Sequence, residues 1–418
     1  MARRSIRSVS ALRTSAALAS LVLSVCNCTP ETPTPDGGDE PAQDAGPSDA
    51  GAHDAGPSDA GMQDAGEEPV EDAGPSETPC EPATAQVGAI TGAIDVAVSG
   101  SHLVVALGSE VSVYDVSSAS PTLVDDVIVA SQDERYGSVA IGGSRVFATS
   151  SGSLVAAAPI DGSADATVFD LSTWSDYENA LDLGPAAFVP TGGLVVANDT
   201  HVFIQDRTYG ALLVFDAATF APVAFYLNND TNRTLQGAGA MVLVDNRLVV
   251  AIERSGIGIE PLKAVRVIDV SMPASPVIIA QTTRTGGRQS GLVWDEANSR
   301  FLVSDFAAAS ASIRQFTLDV AGTPSETVLL YTAPDARQVR ELAIVDGVVF
   351  AATPDFDPND PQVTLLSNGS GSLEPLATVA MPAGVYGNAV AAGSNVVYVA
   401  DESSGAGLQA VALETCTD

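Results

Sequence analysis

Residues 101–106 read Ser-His-Leu-Val-Val-Ala, a polar turn that leads into a short apolar and β-branched run closed by alanine. The same pattern returns in six further copies: residues 144–148 (SRVFA), 200–204 (THVFI), 246–251 (NRLVVA), 299–304 (SRFLVS), 346–351 (DGVVFA) and 394–400 (SNVVYVA). Successive copies are roughly 40–55 residues apart, and a period of this size carrying several short strands is typical of a β-propeller. The sequence therefore predicts an all-β, seven-bladed propeller.

Alternating apolar and polar residues predict four strands in each copy. The first copy predicts strands at 94–98, 103–107, 110–116 and 123–129, and the fourth predicts strands at 240–244, 248–253, 264–270 and 277–281. Three of the third strands end in an apolar residue followed by Asp, namely Asp115, Asp216 and Asp269, and we expect each Asp to cap the turn that follows.

One helix is expected in the longest interval between copies. Residues 175–178 (SDYE) have the form of a capping box with Ser175 as the N-cap, and residues 179–183 extend it to Gly184. An insertion at this position should lie outside the blades.

The last copy contains only three predicted strands, at 389–392, 396–400 and 408–413. A strand from residues 85–90 would complete that blade by pairing antiparallel with the last strand. This pairing would bring Cys80 close to Cys416, and in an exported protein the two are expected to form a disulfide. The alternative is two free surface thiols. The propeller domain is accordingly assigned to residues 80–418.

The N-terminus has the form of an export signal, residues 1–25, in which four arginines precede an apolar stretch of signal-peptide length. The sequence Leu-Ser-Val-Cys at residues 23–26 resembles a bacterial lipoprotein box, with Cys26 as the lipidated residue and Cys28 as the alternative. This predicts a lipid anchor in the outer membrane, on its periplasmic or surface side. The alternatives are ordinary secretory cleavage, which would give a secreted protein, and a buried N-terminal helix.

Residues 26–79 form a separate segment in which Asp-Ala-Gly recurs, starting at positions 44, 49, 54, 59, 64 and 72. Low hydrophobicity and uniform negative charge do not provide enough apolar burial to order a chain. The segment is expected to be a disordered, extended tether that holds the folded domain away from a membrane. Weak Ca²⁺ binding by the acidic tract is the alternative.

The charge balance excludes one class of partner. The chain has 52 Asp and Glu residues against 18 Lys and Arg residues, which gives a formal net charge of −34. Such a surface repels phosphate backbones, so nucleic-acid binding is not expected. A protein or a glycan at the cell surface is the expected partner, and the domain is expected to be a monomer.

The repeat also resembles a known group of proteins. Residues 290–305 (SGLVWDEANSRFLVSD) are similar to the repeats of bacterial extracytoplasmic propellers of the NHL and gluconolactonase-like types. The Asp-Ala-Gly linker behind a lipoprotein box resembles that of lipoproteins from predatory soil bacteria. The gluconolactonase-like resemblance implies a metal held at the channel mouth by Glu and Asn from different blades. Glu341 and Asn388 are the matching residues here, with Arg340 beside them.

Residues 355–360 (DFDPND) are a candidate Ca²⁺ site. Asp355, Asp357 and Asn359 place side-chain oxygens at alternate positions, as the start of a helix–loop–helix calcium loop does. The pattern lacks the glycine at the sixth position and the bidentate Glu at the twelfth. A solvated acidic turn is the alternative. Apart from Ca²⁺, no cofactor is expected.

The predicted insertion supplies candidates for a binding surface. Trp174, Tyr177, Glu178 and Asp182 combine aromatic and acidic character, which suits contact with a carbohydrate or a protein. The alternative is that Trp174 packs the insertion against the edges of the blades.

These patterns predict a noncatalytic binding or scaffold module for a protein or glycan, anchored at the cell envelope. The alternative is a metal-dependent hydrolase or lactonase with its site at the channel mouth, using Glu341, Asn388 and Arg340. Only three histidines occur in the whole chain, so a nucleophilic triad is not expected.

Overall fold

A computed structural model describes the propeller domain. The residues it describes are 83–87, 90–118, 121–130, 134–182, 188–227, 235–256, 259–283, 288–306, 311–334, 338–353, 361–369, 371–382, 387, 389–400 and 407–413. All of them belong to one compact unit, residues 75–418. The signal segment, the tether and the four cysteines Cys26, Cys28, Cys80 and Cys416 lie outside the described residues. No described helix is long and apolar enough to cross a bilayer.

The strands form seven four-stranded antiparallel sheets, which confirms the predicted seven-bladed propeller. Blades are numbered in chain order from the first complete sheet. Blade 1 contains β2 (Asp95–Ser99), β3 (His102–Ala106), β4 (Glu110–Asp115) and β5 (Thr122–Val129). Blade 2 contains β6 (Tyr136–Gly142), β7 (Arg145–Ser150), β8 (Leu154–Pro159) and β9 (Thr167–Asp170). Blade 3 contains β10 (Gly192–Ala197), β11 (His201–Asp206), β12 (Leu212–Asp216) and β13 (Pro222–Tyr226).

The remaining blades follow the same plan. Blade 4 contains β14 (Ala238–Val244), β15 (Arg247–Gly256), β16 (Ile259–Asp269) and β17 (Val277–Thr283). Blade 5 contains β18 (Arg288–Asp295), β19 (Arg300–Phe306), β20 (Ser312–Phe316) and β21 (Val328–Thr332). Blade 6 contains β22 (Leu342–Val345), β23 (Val348–Ala352), β24 (Gln362–Asn368) and β25 (Leu373–Ala380). Blade 7 contains β26 (Ala389–Ala392), β27 (Val396–Ala400), β28 (Gln409–Ala412) and β1 (Ala83–Gln86).

Blade 7 closes the ring with strands from both ends of the domain. β1 pairs antiparallel with β28, and the register sets Ala83 opposite Ala412 and Gln86 opposite Gln409. The closing strand therefore exists as predicted, but it is shorter than residues 85–90 and begins two residues earlier. Beyond this strand, Val87 N–H donates to the carbonyl of Leu408 at 3.0 Å, and Leu408 N–H donates to the carbonyl of Ile90 at 2.8 Å.

Deletion of residues 83–86 is expected to lower the free energy of unfolding by about 2–4 kcal/mol, because it removes the ladder that joins the two ends of the domain. Urea denaturation of the full chain measures this. The matched control deletes residues 54–57 of the Asp-Ala-Gly repeat, also four residues, and should leave the midpoint unchanged. Equal midpoints for the two deletions would contradict closure by β1.

The hydrophobic core consists of seven clusters, one between each pair of neighbouring blades. The second strand of each blade is buried on both faces, since its alternate side chains enter the clusters on either side. In blade 1, for example, Leu103 and Val105 pack towards blade 7 while Val104 and Ala106 pack towards blade 2. A strand buried on both faces needs a continuous apolar run, which is why the seven sequence copies are so alike.

The local predictions differ in outcome. Asp115, Asp216 and Asp269 each accept a hydrogen bond from a backbone N–H two or three residues later, at 2.7–2.8 Å, as expected. The predicted helix exists as α1 (Ser175–Ala180), after a 3₁₀ turn at Leu171–Thr173. The capping box is wrong: Trp174 is the N-cap, and no side chain caps the helix.

The two faces of the propeller are built differently. We call the face at which the innermost strands begin the upper face, and the face at which they end the lower face. On the lower face, the first and second strands of each blade are joined by tight turns such as 100–101 and 346–347. Gly347 has a φ of +74°, and Asp346 before it has a φ of +47°, so this turn uses left-handed backbone. The upper face carries the connections between consecutive blades, such as 171–191, and the connection 353–361 within blade 6, whereas the longest connection on the lower face is 317–327 in blade 5.

Candidate functional site

The upper part of the central channel encloses a cavity of about 420 Å³, bounded by the innermost strands of all seven blades. Its size falls in the range of small-molecule sites. Most of the lining is apolar or backbone, because innermost strands present their unpaired edges to the channel. Three charged side chains enter it: Asp95, Glu341 and Arg207.

Asp95 is the first residue of β2 and links the innermost strands of blades 1 and 2. One carboxylate oxygen accepts the N–H of Val96 at 2.9 Å, and the other accepts the N–H of Val139 at 2.8 Å. The hydroxyl of Ser138 also bonds to this carboxylate. Burial nevertheless outweighs these bonds and raises the pKa of Asp95 to about 6. This carboxylate therefore titrates close to neutral pH.

Glu341 immediately precedes β22 and enters the same cavity from blade 6. Burial raises the pKa of Glu341 well above its ordinary value, and the negative charge of Asp95 raises it further. Its one opposing influence is a hydrogen bond from the N–H of Leu342. Two carboxyl groups that repel each other in a confined space share protons, so the pair retains a proton under conditions in which exposed carboxyls are ionised.

Arg207 reaches the channel from blade 3, in the turn between β11 and β12. It stands on the upper face, and its side chain is exposed. The pKa values of both channel carboxyls stay raised although Arg207 lines the same cavity. Its positive charge therefore does not neutralise them, and the cavity carries opposite charges on different walls.

Asp95→Asn is expected to become more stabilising, relative to the native chain, as pH rises. The folded-state pKa of about 6 lies above the ordinary aspartate value of 3.8, so the folded protein binds this proton more tightly than the unfolded chain does. The stabilisation that the proton on Asp95 gives to the folded state is fully present below about pH 4 and is lost as pH rises through 6. Between pH 5 and pH 7.5, the difference in free energy of unfolding between Asp95→Asn and the native chain should change by about 1–1.5 kcal/mol, as measured by urea denaturation.

Asp161→Asn is the matched control, since Asp161 lies in the neighbouring blade 2 and is exposed. Hydrogen bonds from the hydroxyl and N–H of Ser163 lower the pKa of Asp161. Its titration therefore lies below pH 5, and the effect of Asp161→Asn should be the same at pH 5 and pH 7.5. A pH-independent effect of Asp95→Asn would contradict the assignment of Asp95.

The residues expected at the channel mouth are only partly brought together. Glu341 lines the cavity, whereas Arg340 points away and donates from Nε to Oε1 of Gln338 at 2.9 Å. Asn388 lies outside the described residues.

Asp95 and Arg207 were not among the predicted site residues. Asp95 lies within the predicted strand 94–98, and an acidic residue inside an otherwise apolar innermost strand is the signal that identifies it. Arg207 gives no such signal, because its position at the channel depends on how blade 3 packs in the ring.

The proposed calcium ligands Asp355, Asp357 and Asn359 lie outside the described residues. Within the described ranges, no group of three or more His, Cys, Asp or Glu side chains is close enough together to hold a metal ion. Glu341 and Asp95 are thus the nearest approach to the implied metal site, and they supply two carboxylates only.

The insertion places its aromatic and acidic residues in different environments. Tyr177 is completely buried and Trp174 is 9% exposed, so neither offers a contact surface. Their rings pack with each other and with Phe225 on β13, at centroid distances of 5.1–6.0 Å. Glu178 is half-buried and Asp182 is exposed. This arrangement corresponds to the alternative in which Trp174 packs the insertion against the blades.

Comparison with known proteins identifies the fold. No protein-family model matches the chain, and no curated protein matches it. Solved structures do match: the mitotic checkpoint complex, with a TM-score of 0.58 and 12% identity, covers 80% of this chain and 94% of that chain. The Cps50 (Swd1) β-propeller domain of Myceliophteria thermophila has a TM-score of 0.56 and 13% identity over 79% of this chain and 98% of that one.

A third similar structure is the hydrazine synthase of Kuenenia stuttgartiensis, with a TM-score of 0.55 and 11% identity over 78% of this chain and 96% of that one. Identities this low establish the propeller fold and nothing about activity.

Proposed function

We propose that this protein is a noncatalytic binding module of the cell envelope, which uses its upper face to hold a protein or a glycan. The observation that carries the proposal is the difference between the two faces. The connections 171–191, 227–237 and 353–361 each follow a strand that ends on the upper face and precede a strand that begins there. Loops placed by a rigid scaffold are where binding residues concentrate.

Order within the longest of these connections supports the proposal. Residues 171–182 are held by the buried rings of Trp174 and Tyr177, and the N–H of Val189 donates to the hydroxyl of Tyr209 at 2.8 Å. A connection fixed at both ends presents its exposed residues in a set geometry, which lowers the entropy lost on binding.

The similar structures and the charge agree with a binding role. One of the similar propellers is described as part of a complex, the mitotic checkpoint complex. With a net charge of −34, this chain suits a neutral or cationic partner rather than an anionic one.

Crosslinking in cells tests the proposal. A photo-crosslinking amino acid at Val189, which is 60% exposed on the upper face, should give a discrete adduct of higher mass. The matched control is Val320 in the lower-face connection of blade 5, which is 97% exposed and should give none. Treatment with protease or glycosidase then shows whether the partner is a protein or a glycan. Adducts from Val320 alone, or from neither site, would overturn the proposal.

Placement at the envelope is a proposal that rests on the sequence of residues 1–79. Cys26→Ser is expected to release the protein from the membrane fraction, and Cys28→Ser is expected to leave it there. Release by Cys28→Ser alone would identify Cys28 as the lipidated residue. Release by neither substitution would contradict lipid anchoring.

A disulfide between Cys80 and Cys416 belongs to the same proposal. The register of β1 and β28 ends with Ala83 opposite Ala412, three residues after Cys80 and four residues before Cys416 in the sequence. Intact mass spectrometry of the mature protein should show a mass two hydrogens below that of the fully reduced chain. The Cys80→Ser variant should lose this mass difference. Its free energy of unfolding, measured by urea denaturation, should be lower by about 2–5 kcal/mol. A native mass equal to the reduced mass would exclude the disulfide.

A further inference from the structure

The cavity in the upper channel has properties that the binding role of the loops does not use. Two of its walls carry carboxylates, from Asp95 on blade 1 and Glu341 on blade 6. Blade 7 lies between these two blades, and its described residues at the cavity are Ala389 and Val390. Neither of these side chains is bulky, and the mutual repulsion of the two carboxylates is consistent with their proximity.

The opposite wall carries the positive charge. Arg207 belongs to blade 3, which is neither blade 1 nor blade 6 nor a neighbour of either. Between the two charged walls the lining includes Leu194, Met241 and Leu292, one apolar residue from each of blades 3, 4 and 5. The side chain of Leu292 packs in the core between blades 4 and 5. The cavity thus combines a negative end, an apolar middle and a positive rim.

We propose that the upper channel binds a small zwitterion, with its ammonium group at Asp95 and Glu341 and its carboxylate at Arg207. Charge-assisted hydrogen bonds at both ends would fix the orientation of the ligand. Leu194 and Met241 would contact a short apolar body between the two charges. A volume of about 420 Å³ admits an amino acid or a compound of similar size.

Binding of an ammonium group should displace a proton. Asp95 and Glu341 both have raised pKa values, so a cation placed between them favours their ionised forms. Affinity should therefore fall as pH drops below the pKa of Asp95. The other groups around the pair are neutral donors to Asp95, namely Ser138 and the N–H groups of Val96 and Val139.

The remaining charged groups nearby lie outside the cavity. Glu134 and Arg135 precede β6 and approach the upper turns of blades 2 and 1, at Gly152 and Gly108. Arg340 is directed to Gln338. Asp95, Glu341 and Arg207 are therefore the charges among the described residues that a ligand in this cavity would meet.

Titration calorimetry on the mature full chain tests the proposal with three matched probes: 4-aminobutanoate, butylamine and butanoate. The amino acid should bind at least about tenfold more tightly than either single-charge analogue. Its affinity should fall between pH 7.5 and pH 5, and buffers with different ionisation enthalpies should reveal proton release. Glycine and 6-aminohexanoate then give the preferred charge separation.

Variants assign the two ends of the site. Glu341→Gln and Arg207→Gln should each weaken binding of the best amino acid by about tenfold or more. Arg207 is exposed, so its replacement should not affect folding. Arg247→Gln, on the lower face, is the control and should bind normally. Failure of all three amino acids to bind at millimolar concentration would overturn the proposal, as would equal binding of butylamine with no effect of Arg207→Gln.

The loop-binding proposal and the channel proposal fail separately. Crosslinking from Val189 concerns the loops, whereas calorimetry with the small probes concerns the channel alone.

Discussion

Arg300→Ala is expected to lower the free energy of unfolding by about 3–5 kcal/mol, because it leaves a buried carboxylate without its cation. Arg300 opens the second strand of blade 5 and is only 3% exposed. Its Nε donates to Oδ2 of Asp295 at 2.8 Å, and one terminal nitrogen donates to Oε1 of Gln315 at 2.6 Å. The other terminal nitrogen donates to blade 6, at the side-chain oxygen of Asn368 and the carbonyl of Gly369, both at 2.7 Å.

Asp295 depends on this contact. Burial raises the pKa of Asp295, but hydrogen bonds from Arg300 and Asn298 outweigh burial and leave the pKa below its ordinary value. Removing the guanidinium therefore leaves the carboxylate of Asp295, which is 1% exposed, without its cationic partner. It also removes the hydrogen bonds to Asn368 and Gly369 in blade 6. Arg300→Lys cannot reproduce four directed bonds and should recover only part of the loss.

Blades 2 and 4 supply matched controls for Arg300, because each has an arginine at the same position. Arg145 donates to the carbonyl of Ala218 in blade 3, and Arg247 donates to the carbonyl of Val320 in blade 5 at 2.8 Å. Each of the three arginines thus joins its blade to the outer turn of the next. Arg247 is half-buried and bonds a carbonyl, so Arg247→Ala should cost about 0.5–1.5 kcal/mol in the same urea titration. Equal losses for Arg247→Ala and Arg300→Ala would show that burial of Asp295 is not decisive.

Tyr177→Ala is expected to lower the free energy of unfolding by about 3–5 kcal/mol, the range for removing a buried aromatic side chain. Tyr177 is fully buried, and its ring contacts those of Trp174, Phe188, Tyr209 and Phe225 at 5.1–6.2 Å. Its hydroxyl donates to Oδ2 of Asp206 at 2.6 Å. The substitution therefore opens a cavity and removes a donor from a buried carboxylate.

Tyr177→Phe separates these two effects. The ring remains, so the loss should fall to about 1–3 kcal/mol, the cost of an unsatisfied buried acceptor. Burial already raises the pKa of Asp206 although Tyr177 and three backbone N–H groups lower it, so loss of the hydroxyl should raise this pKa further. The folded state then holds the proton more tightly, and the cost of Tyr177→Phe should shrink as pH falls.

Asp176→Ala is the control for the Tyr177 variants, since Asp176 lies on the same helix but is exposed and should change stability by less than about 0.5 kcal/mol. Tyr177→Ala should also abolish the crosslink from Val189, because the connection that carries Val189 loses its buried anchor. A crosslink that survives in this variant would show that Tyr177 does not position the upper face.

The repeated arginines show what the sequence predicts and what it does not. Arg145, Arg247 and Arg300 occupy equivalent places in their copies and are visible in the sequence. Their different burial is not visible there, because it depends on the outer turn of the next blade, which lies some 70 residues away along the chain and is set by ring packing.

The number of blades, the order of strands and the closure of the ring were determined by the sequence itself. Each second strand must be apolar on both faces, and each turn requires its own polar residues, so both features repeat along the chain as a readable period. Tertiary structure alone decided which polar side chains share the channel. Asp95, Glu341 and Arg207 come from blades 1, 6 and 3, and their proximity, and the raised pKa values of the two carboxyls, arise from the curvature of a closed ring of seven sheets.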